Sequence, residues 1–332
     1  MSPTRRITLA ALPVLAILLM ASLAIGSRPV PLAEVIRAFT AYDGFNDLHL
    51  VVRELRLPRT LLAVAAGASL GLAGALMQAV TRNPLAEPGL LGVNSGAALA
   101  VVIGAMAFNL TGITQYIWFG ILGAGLAGVA VFVLGRAHES GTDPVRLVLA
   151  GAGLSVALGA ASGLLILNSG LGVLDIFRNW GAGALEGRGM EVSLIMLVVL
   201  LVGGGLAAML APALDALALG QDLGRVLGLS PRRIWALACF AVMVLAGGAT
   251  AAAGPIAFIG LVAPHAARAF VGPGSVRALP LAGLIGALLL LLSDILARVV
   301  VAPSEVAAGI VAALLGGPFF IHVVRRFRLA RV

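Results

Sequence analysis

The chain has 332 residues, of which 61% are apolar and 11% are charged, and its mean hydropathy is +1.09. Because soluble domains carry about 25% charged residues, this composition excludes an ordinary soluble protein and predicts a chain that largely faces lipid. The net charge of +8 does not indicate a nucleic-acid partner, since the basic residues lie at the ends of apolar runs and form no stripe with interleaved aromatic residues.

The first apolar run follows Arg5 and Arg6 and covers residues 7–26. Its length matches a membrane crossing of about 20 residues, so we interpret it as an uncleaved first helix rather than a signal peptide. Residues 27–55 are mixed and polar, and we expect an external loop there. Nine further runs predict helices at 60–80, 91–108, 115–135, 146–168, 192–211, 234–253, 256–271, 279–297 and 305–324. The sequence therefore predicts an all-α polytopic membrane protein with about ten transmembrane helices, in a single domain over residues 1–332.

An even number of crossings places both termini on the same side of the membrane. If the termini are cytoplasmic, most of the arginines lie on that side and the other side is slightly acidic. The positive-inside rule favours this arrangement. We therefore predict cytoplasmic N- and C-termini.

Two stretches rich in proline and glycine interrupt the apolar pattern, one at residues 83–89 and one at residues 254–264. Proline removes a backbone donor, and a broken helix persists in lipid only where protein or water satisfies the freed groups. The two breaks lie on opposite faces of the predicted topology. This arrangement predicts an inverted repeat of the second to fifth and seventh to tenth helices around a transport route.

The sequence contains no lysine, which excludes a Walker A loop, since that loop needs a lysine to hold phosphates. The single cysteine, Cys239, cannot form an internal disulfide. The four histidines lie on different segments and form no metal-ligand set, and no Ser-His-Asp set or carboxylate pair is apparent. We therefore predict no catalytic residue, no metal site and no cofactor on this chain.

Several motifs resemble the signatures of FecCD-type permeases. They are R-L-P-R-T (56–60), R-N-P-L-A-E-P-G-L-L-G-V-N-S-G-A (82–97), G-P-I-A-F-I-G-L-V-A-P-H-A-A-R (254–268), L-S-D-I-L-A-R (292–298) and G-G-P-F-F-I (316–321). Such permeases are the ten-helix, inner-membrane subunits of bacterial ABC importers for ferric siderophores, haem and vitamin B12. The resemblance implies as partners a second permease copy or paralogue, two ATPase subunits that bind ATP and Mg²⁺, and an extracytoplasmic substrate-binding protein.

The resemblance also implies roles for particular residues. Arginines at the positions of Arg56, Arg59 and Arg298 receive acidic residues of the binding protein, although snorkelling of Arg56 and Arg59 and a local pair between Arg298 and Asp294 are alternatives. The cytoplasmic insert 213–233 resembles a segment that couples to the ATPase, and an ordinary amphipathic connector is the alternative. Its candidate coupling residues are Asp215, Leu217, Leu219, Gly220, Gln221, Asp222 and Arg225.

Polar residues within or beside the crossings are candidates for the translocation path, because such groups are costly in lipid and tend to be functional. The candidates are Gln78, Asn83, Asn94 and Ser95, and the resemblance places Asn83, Pro144 and Val145 near a cytoplasmic gate. Helix capping and interhelical hydrogen bonds explain the four polar residues equally well.

The residues in these motifs, and in R-N-W-G-A-G-A-L (178–185), look most similar to those of ferric-siderophore members of the family, especially catecholate importers. Haem and vitamin B12 permeases share most of these motifs and are the alternatives. An ion-coupled secondary transporter needs titratable groups at the bilayer midplane, where only Asp294 comes close. A non-transporting membrane scaffold would leave the insert and the docking arginines without a role.

Overall fold

A computed structural model describes residues 3–135 and 144–326 of the chain. Fourteen α-helices and no β-strand occur in these two ranges. The helices are α1 (Pro3–Ala24), α2 (Leu32–Thr40), α3 (Asp47–Leu50), α4 (Leu57–Thr81), α5 (Val93–Phe108), α6 (Ile113–Leu134), α7 (Pro144–Leu167), α8 (Leu171–Gly181), α9 (Met190–Ala218), α10 (Gln221–Val226), α11 (Pro231–Ala253), α12 (Ile259–Val271), α13 (Ser275–Val299) and α14 (Ala308–Arg326).

Ten apolar helices account for the predicted crossings. Over the described ranges, six helical segments are long and apolar enough to cross a membrane: Asp47–Thr81, Ile113–Leu134, Val145–Leu167, Met190–Ala218, Pro231–Ala253 and Ser275–Val299. Four shorter apolar helices cover Ala11–Ala24, Val93–Phe108, Ile259–Val271 and Ala308–Val323. The all-α polytopic architecture predicted from the sequence is confirmed.

The segment 27–55, which was expected to be an external loop, is largely helical. Residues 27–55 contain α2, α3 and most of a π-helical turn, Val51–Arg56, that joins α3 to α4 without a break. In this turn the N–H of Leu57 donates to the carbonyl of Val52, five residues earlier. Because Pro58 has no N–H to donate, the ordinary helical hydrogen bond is missing and the turn widens. The polar stretch between the predicted helices 146–168 and 192–211 also contains a helix, α8.

The helix α4 lies at the centre of the bundle and packs against α9, α11, α12 and α13. Its glycines allow backbone contact with neighbouring helices. A Cβ added at Gly67 would lie 2.4 Å from the carbonyl oxygen of Gly286 in α13, and one added at Gly74 would lie 1.7 Å from that of Gly260 in α12. In lipid, such close packing replaces the hydrophobic effect as the force that holds helices together.

The two predicted breaks contact each other inside the bundle. A 3₁₀ turn, Pro88–Leu91, precedes α5, whose N-cap Gly92 has a φ of +69°. The N-cap of α12 is Phe258, which has a φ of +68° and whose N–H donates to Glu87 Oε1 at 3.1 Å. Both helices thus begin after a left-handed residue that lets the chain turn back sharply. The superposition of the two halves stays a prediction.

The bundle has two ends, which we name by their charged residues. The arginine end contains Arg59, at the start of α4, and Arg298, at the end of α13. The insert end contains Arg82, directly after α4, and Asp215, in the last turn of α9. The 25 residues of α4 separate the two ends by about 37 Å at 1.5 Å per residue.

The contact between α4 and α12 leads to a stability prediction. We expect Gly74→Ala to lower the melting temperature of the detergent-solubilised protein by about 5 °C, because the added methyl group meets backbone rather than a movable side chain. Gly125→Ala in α6 is the control, since a Cβ at Gly125 meets nothing within 4 Å and alanine favours a helix. Equal melting temperatures for the two variants would contradict the close packing.

Candidate functional site

A pocket of about 480 Å³ opens at the arginine end of the bundle. Its charged lining consists of five arginines and three glutamates: Arg28, Arg56, Arg59, Arg188, Arg298, Glu54, Glu186 and Glu305. The structure therefore brings together the three arginines that the sequence predicts as docking residues. Guanidinium groups at this density suit carboxylate ligands, which they hold through charge-assisted hydrogen bonds.

Asp294 is fully buried beside the pocket and binds two of these arginines. Its Oδ1 accepts a hydrogen bond from Arg59 Nε at 2.8 Å, and its Oδ2 accepts one from Arg298 Nε at 3.1 Å and another from Arg298 Nη2. A buried charge is costly unless opposite charges and hydrogen bonds compensate it. The Asp294 carboxylate is compensated by two guanidinium groups at once.

Arg298 also connects α13 to α1. It donates from Nη1 to the carbonyl of Ser22 at 2.8 Å and from Nη2 to the hydroxyl of the same residue at 2.9 Å. That hydroxyl lies 2.7 Å from Thr60 Oγ1 in α4. Arg298 is thus buried and satisfied within the chain, and its local pair with Asp294 is present. Its docking role stays a prediction.

Arg56 and Arg59 differ in their partners. Arg59 donates from Nη1 to Glu305 Oε2 at 2.5 Å, in addition to its bond with Asp294. Arg56 instead donates to two backbone carbonyls, those of Leu23 at 2.8 Å and of Arg28. Over the described residues no ion pair involves Arg56. Of the three predicted docking arginines, Arg56 is therefore the one that forms no ion pair within the described ranges.

Sequence reasoning missed several residues of the pocket. Arg188 donates from Nη1 to the Tyr116 hydroxyl and from Nε to the Ala184 carbonyl, both at 3.2 Å. It lies with Glu186 in a polar stretch before α9, and Glu305 lies shortly before α14. Charged residues directly beside an apolar run were the available signal, but the sequence does not show which helix ends meet.

At the insert end, two predicted coupling residues face inward. α9 extends to Ala218, so Asp215 and Leu217 lie in its last turn rather than in a separate insert. The Asp215 carboxylate accepts hydrogen bonds from the N–H groups of Ser275 at 2.5 Å and Val276 at 3.2 Å, which caps the start of α13. Leu217 is buried.

The other predicted coupling residues lie between the end of α9 and the end of α10. Gly220 has a φ of +135°, which only glycine adopts readily, and α10 begins at Gln221. Leu219 is 75% exposed. Asp222 and Arg225 form an exposed ion pair, in which Arg225 Nη1 lies 3.0 Å from Asp222 Oδ1. With the exposed Leu223, Val226 and Leu227, these residues form a partly apolar surface, which we call the α10 surface.

The candidate path residues do not gather at one site. Gln78 is buried in α4, where its Oε1 accepts a hydrogen bond from Arg268. Asn83 is exposed, and its Oδ1 accepts from the N–H of Leu85 at 2.9 Å. Asn94 accepts at Oδ1 from Thr250 Oγ1 at 2.8 Å. These contacts are helix-capping and interhelical hydrogen bonds, which the sequence left open as alternatives to a role in translocation.

The remaining path candidates lie at the starts of helices. Ser95 is half-buried in the first turn of α5, and Val145 is exposed in α7. Pro144 is the first residue of α7, and its side chain lies outside the described residues. The roles of these residues at a gate stay predictions.

Glu87 was not singled out from the sequence. It lies between α4 and α5, and burial raises the pKa of its carboxyl, while the hydrogen bond from the Phe258 N–H acts in the opposite direction. Glu87 holds the two breaks together. Across the described ranges, no group of three or more His, Cys, Asp or Glu residues is placed to hold a metal ion.

Comparison with known proteins extends these observations. A family model described as the FecCD transport family matches residues 14–326. The ferric enterobactin transport system permease protein FepD of Escherichia coli is 42% identical over 325 residues, which cover 97% of this chain and 96% of FepD. The Fe(3+)-citrate import system permease protein YfmD of Bacillus subtilis is 36% identical over 309 residues, which cover 92% of this chain and 90% of YfmD.

A solved structure supports the same relationship. It is described as an inward-facing conformation of a candidate metal-chelate type ABC transporter and is 28% identical to this chain. The two folds have a TM-score of 0.84, and the match covers 97% of this chain and all of the other. The ten-helix arrangement therefore has a close counterpart among ABC transporters.

The buried pairing of Asp294 leads to the second prediction. We expect Asp294→Asn to destabilise the protein by about 3–5 kcal/mol, because two buried guanidinium groups lose their common carboxylate. A melting-temperature decrease of about 10 °C in detergent would report this loss. Asp222→Asn is the control, since its side chain is 96% exposed, and its melting temperature should stay within about 1 °C of wild type.

Proposed function

The chain belongs to the FecCD transport family and is a permease subunit of an ABC importer, and we propose that it carries a ferric siderophore into the cytoplasm. One observation carries the choice of cargo: the alignment with a ferric enterobactin permease extends over 97% of this chain at 42% identity. A relative named for ferric citrate also aligns over nearly the full length. Both names specify iron bound to an organic chelator.

We propose that the arginine end is extracytoplasmic and that the pocket receives the substrate-binding protein. Arg56 supports this role because its charge has no carboxylate partner among the described residues. An acidic group of the binding protein that reaches Arg56 therefore gains a charge-assisted bond without having to displace an ion pair. Complementary charge would also speed association and fix the docked orientation.

The same orientation places both termini and the α10 surface in the cytoplasm. It agrees with the excess of arginine on the side of the termini. We infer that the α10 surface contacts a separate ATPase subunit that binds ATP and Mg²⁺, since exposed Leu219 and Val226 offer apolar contacts beside a charged pair. In the complete importer, two permeases (identical or paralogous) would pair with two ATPase subunits and one binding protein.

An ion-coupled secondary transporter is disfavoured by the surroundings of its best candidate residue. A coupling carboxylate has to gain and lose a proton or ion. The Asp294 carboxylate instead pairs with Arg59 and Arg298, which stabilise its charged form. Its position at the arginine end also places it away from the bilayer midplane.

Iron uptake tests the proposed cargo and the docking role together. Cells that lack this permease and then regain it would be offered radioactive iron as several ferric siderophores and as haem, with labelled vitamin B12 in parallel. We expect one ferric siderophore to restore uptake, and Arg56→Gln to reduce that uptake about tenfold, since the variant keeps hydrogen-bond donors but loses the charge.

The control for this experiment is Arg53→Gln. Arg53 is exposed on the same π-helical turn, lies 4.5 Å from the ring centre of Tyr42 and does not line the pocket. Uptake by this variant should stay near the wild-type rate. Restoration by haem or vitamin B12 would replace the proposed cargo, and equal loss in both variants would contradict the docking role of Arg56.

Contact of the α10 surface with the ATPase leads to a further prediction. We expect Leu219→Asp to reduce the ATPase subunit that copurifies with the permease at least about fivefold, because a charge replaces an exposed apolar contact. Leu171→Asp is the matched control: Leu171 is 81% exposed in α8, which the proposed orientation places on the external side. Full retention of the ATPase by Leu219→Asp would exclude this surface.

A further inference from the structure

We propose that Glu305 occupies, on Arg59, the place that an acidic group of the binding protein takes on docking, so that docking exchanges one carboxylate for another and releases the segment before α14. This inference rests on the proposed function, because it requires a binding protein at the pocket. It adds a role for a residue outside the predicted docking set.

The first support is the asymmetry of the two carboxylates on Arg59. Asp294 is fully buried and also binds Arg298, so it is fixed by the surrounding helices. Glu305 keeps 17% of its side chain exposed and lines the open pocket. Only the second carboxylate is within reach of a partner that enters from outside.

The second support is the charge balance. Arg59 and Arg298 carry two positive charges, and Asp294 and Glu305 carry two negative charges, which leaves this group of four neutral. While Glu305 stays in place, an incoming carboxylate therefore meets a neutral group and gains little attraction to Arg59. If one carboxylate replaces the other, the Arg59 guanidinium stays paired throughout. If Glu305 left without a replacement, Arg59, whose side chain is only 9% exposed, would lose its second carboxylate partner.

The third support is that Glu305 makes few other hydrogen bonds. Apart from Arg59, the hydrogen bond recorded for its side chain is one from Ser27 Oγ at 3.4 Å to Oε1. It lies between the end of α13 at Val299 and the start of α14 at Ala308. The residues just before it, 300–304, are exposed. Loss of the ion pair with Arg59 would therefore release the part of the segment that ends at Glu305.

Backbone bonds limit how far the release can extend. The N–H of Val306 donates to the carbonyl of Ala297 at 3.1 Å, and the N–H of Gly309 donates to that of Gly183 at 2.9 Å. These bonds hold the base of the segment against α13 and the start of α14 against the loop after α8. Docking should therefore increase the mobility of residues 300–305, and this change should reach the first turn of α14.

The test compares Glu305→Gln with Glu191→Gln in the complete importer, reconstituted in nanodiscs. Glu191 is exposed in the first turn of α9 and does not line the pocket, whereas Glu305 lines the pocket and forms an ion pair with Arg59. The dissociation constant of the cognate binding protein would be measured at about 0.3 M NaCl, where screening over roughly 6 Å suppresses the general effect of removing a negative charge.

We expect Glu305→Gln to tighten docking about fivefold to tenfold, because the incoming acid no longer competes for Arg59. Glu191→Gln should stay within about twofold of wild type. Equal tightening in both variants would show a general electrostatic effect and overturn the exchange. Weaker docking by Glu305→Gln would also overturn it, since Glu305 would then support the docked state.

A spin label at Ser304→Cys provides an independent readout. Ser304 is exposed, whereas the native cysteine, Cys239, is buried, so the label reports on position 304. In otherwise wild-type protein, docking should increase the mobility of the label, and Glu305→Gln should show the mobile spectrum before docking. An unchanged wild-type spectrum would overturn the inference even if the Gln variant failed to assemble. If the binding protein did not bind the wild-type importer at all, the proposed function would fail first.

Discussion

One buried carboxylate determines how the arginine end is assembled. Asp294 on α13 binds Arg59 of α4 and Arg298 of its own helix, and Arg298 binds Ser22 of α1. Three helices that are far apart in sequence therefore meet around one negative charge. In lipid such a charge persists only when it is fully compensated, so the pocket above it is preorganised. Arg59 and Arg298 are thus held in position by a carboxylate that is fully buried.

The number and placement of the membrane helices could be predicted because an apolar run of about 20 residues is typical of a membrane-spanning helix. The short helices α2 and α8 could not, since they mix polar and apolar residues and hydropathy averages hide them. The end of α9 was placed too early because Asp215 and the polar residues after Gly220 indicated a separate insert, although the alanines and leucines at 216–219 favour a helix.

Long-range partners limited the prediction of the site. Arg56, Arg59 and Arg298 were identified through motifs, but Glu305 lies 246 positions from Arg59 and no local pattern connects them. Asp215 is a second case: the sequence predicted it as a coupling residue, and no local pattern indicated that its carboxylate caps α13. A polar residue in a membrane protein can serve its own fold or a partner, and sequence alone does not separate the two uses.

The continuous helical run from Asp47 to Thr81 has a mechanical consequence. Its 35 residues form a rod about 52 Å long at 1.5 Å per residue, with Arg56 and Arg59 in its first half and Arg82 just beyond its far end. A tilt of about 5° around the middle of such a rod would move each end by about 2 Å in opposite directions. The central helix can thus work as a lever, which converts pressure on one surface of the membrane into displacement at the other.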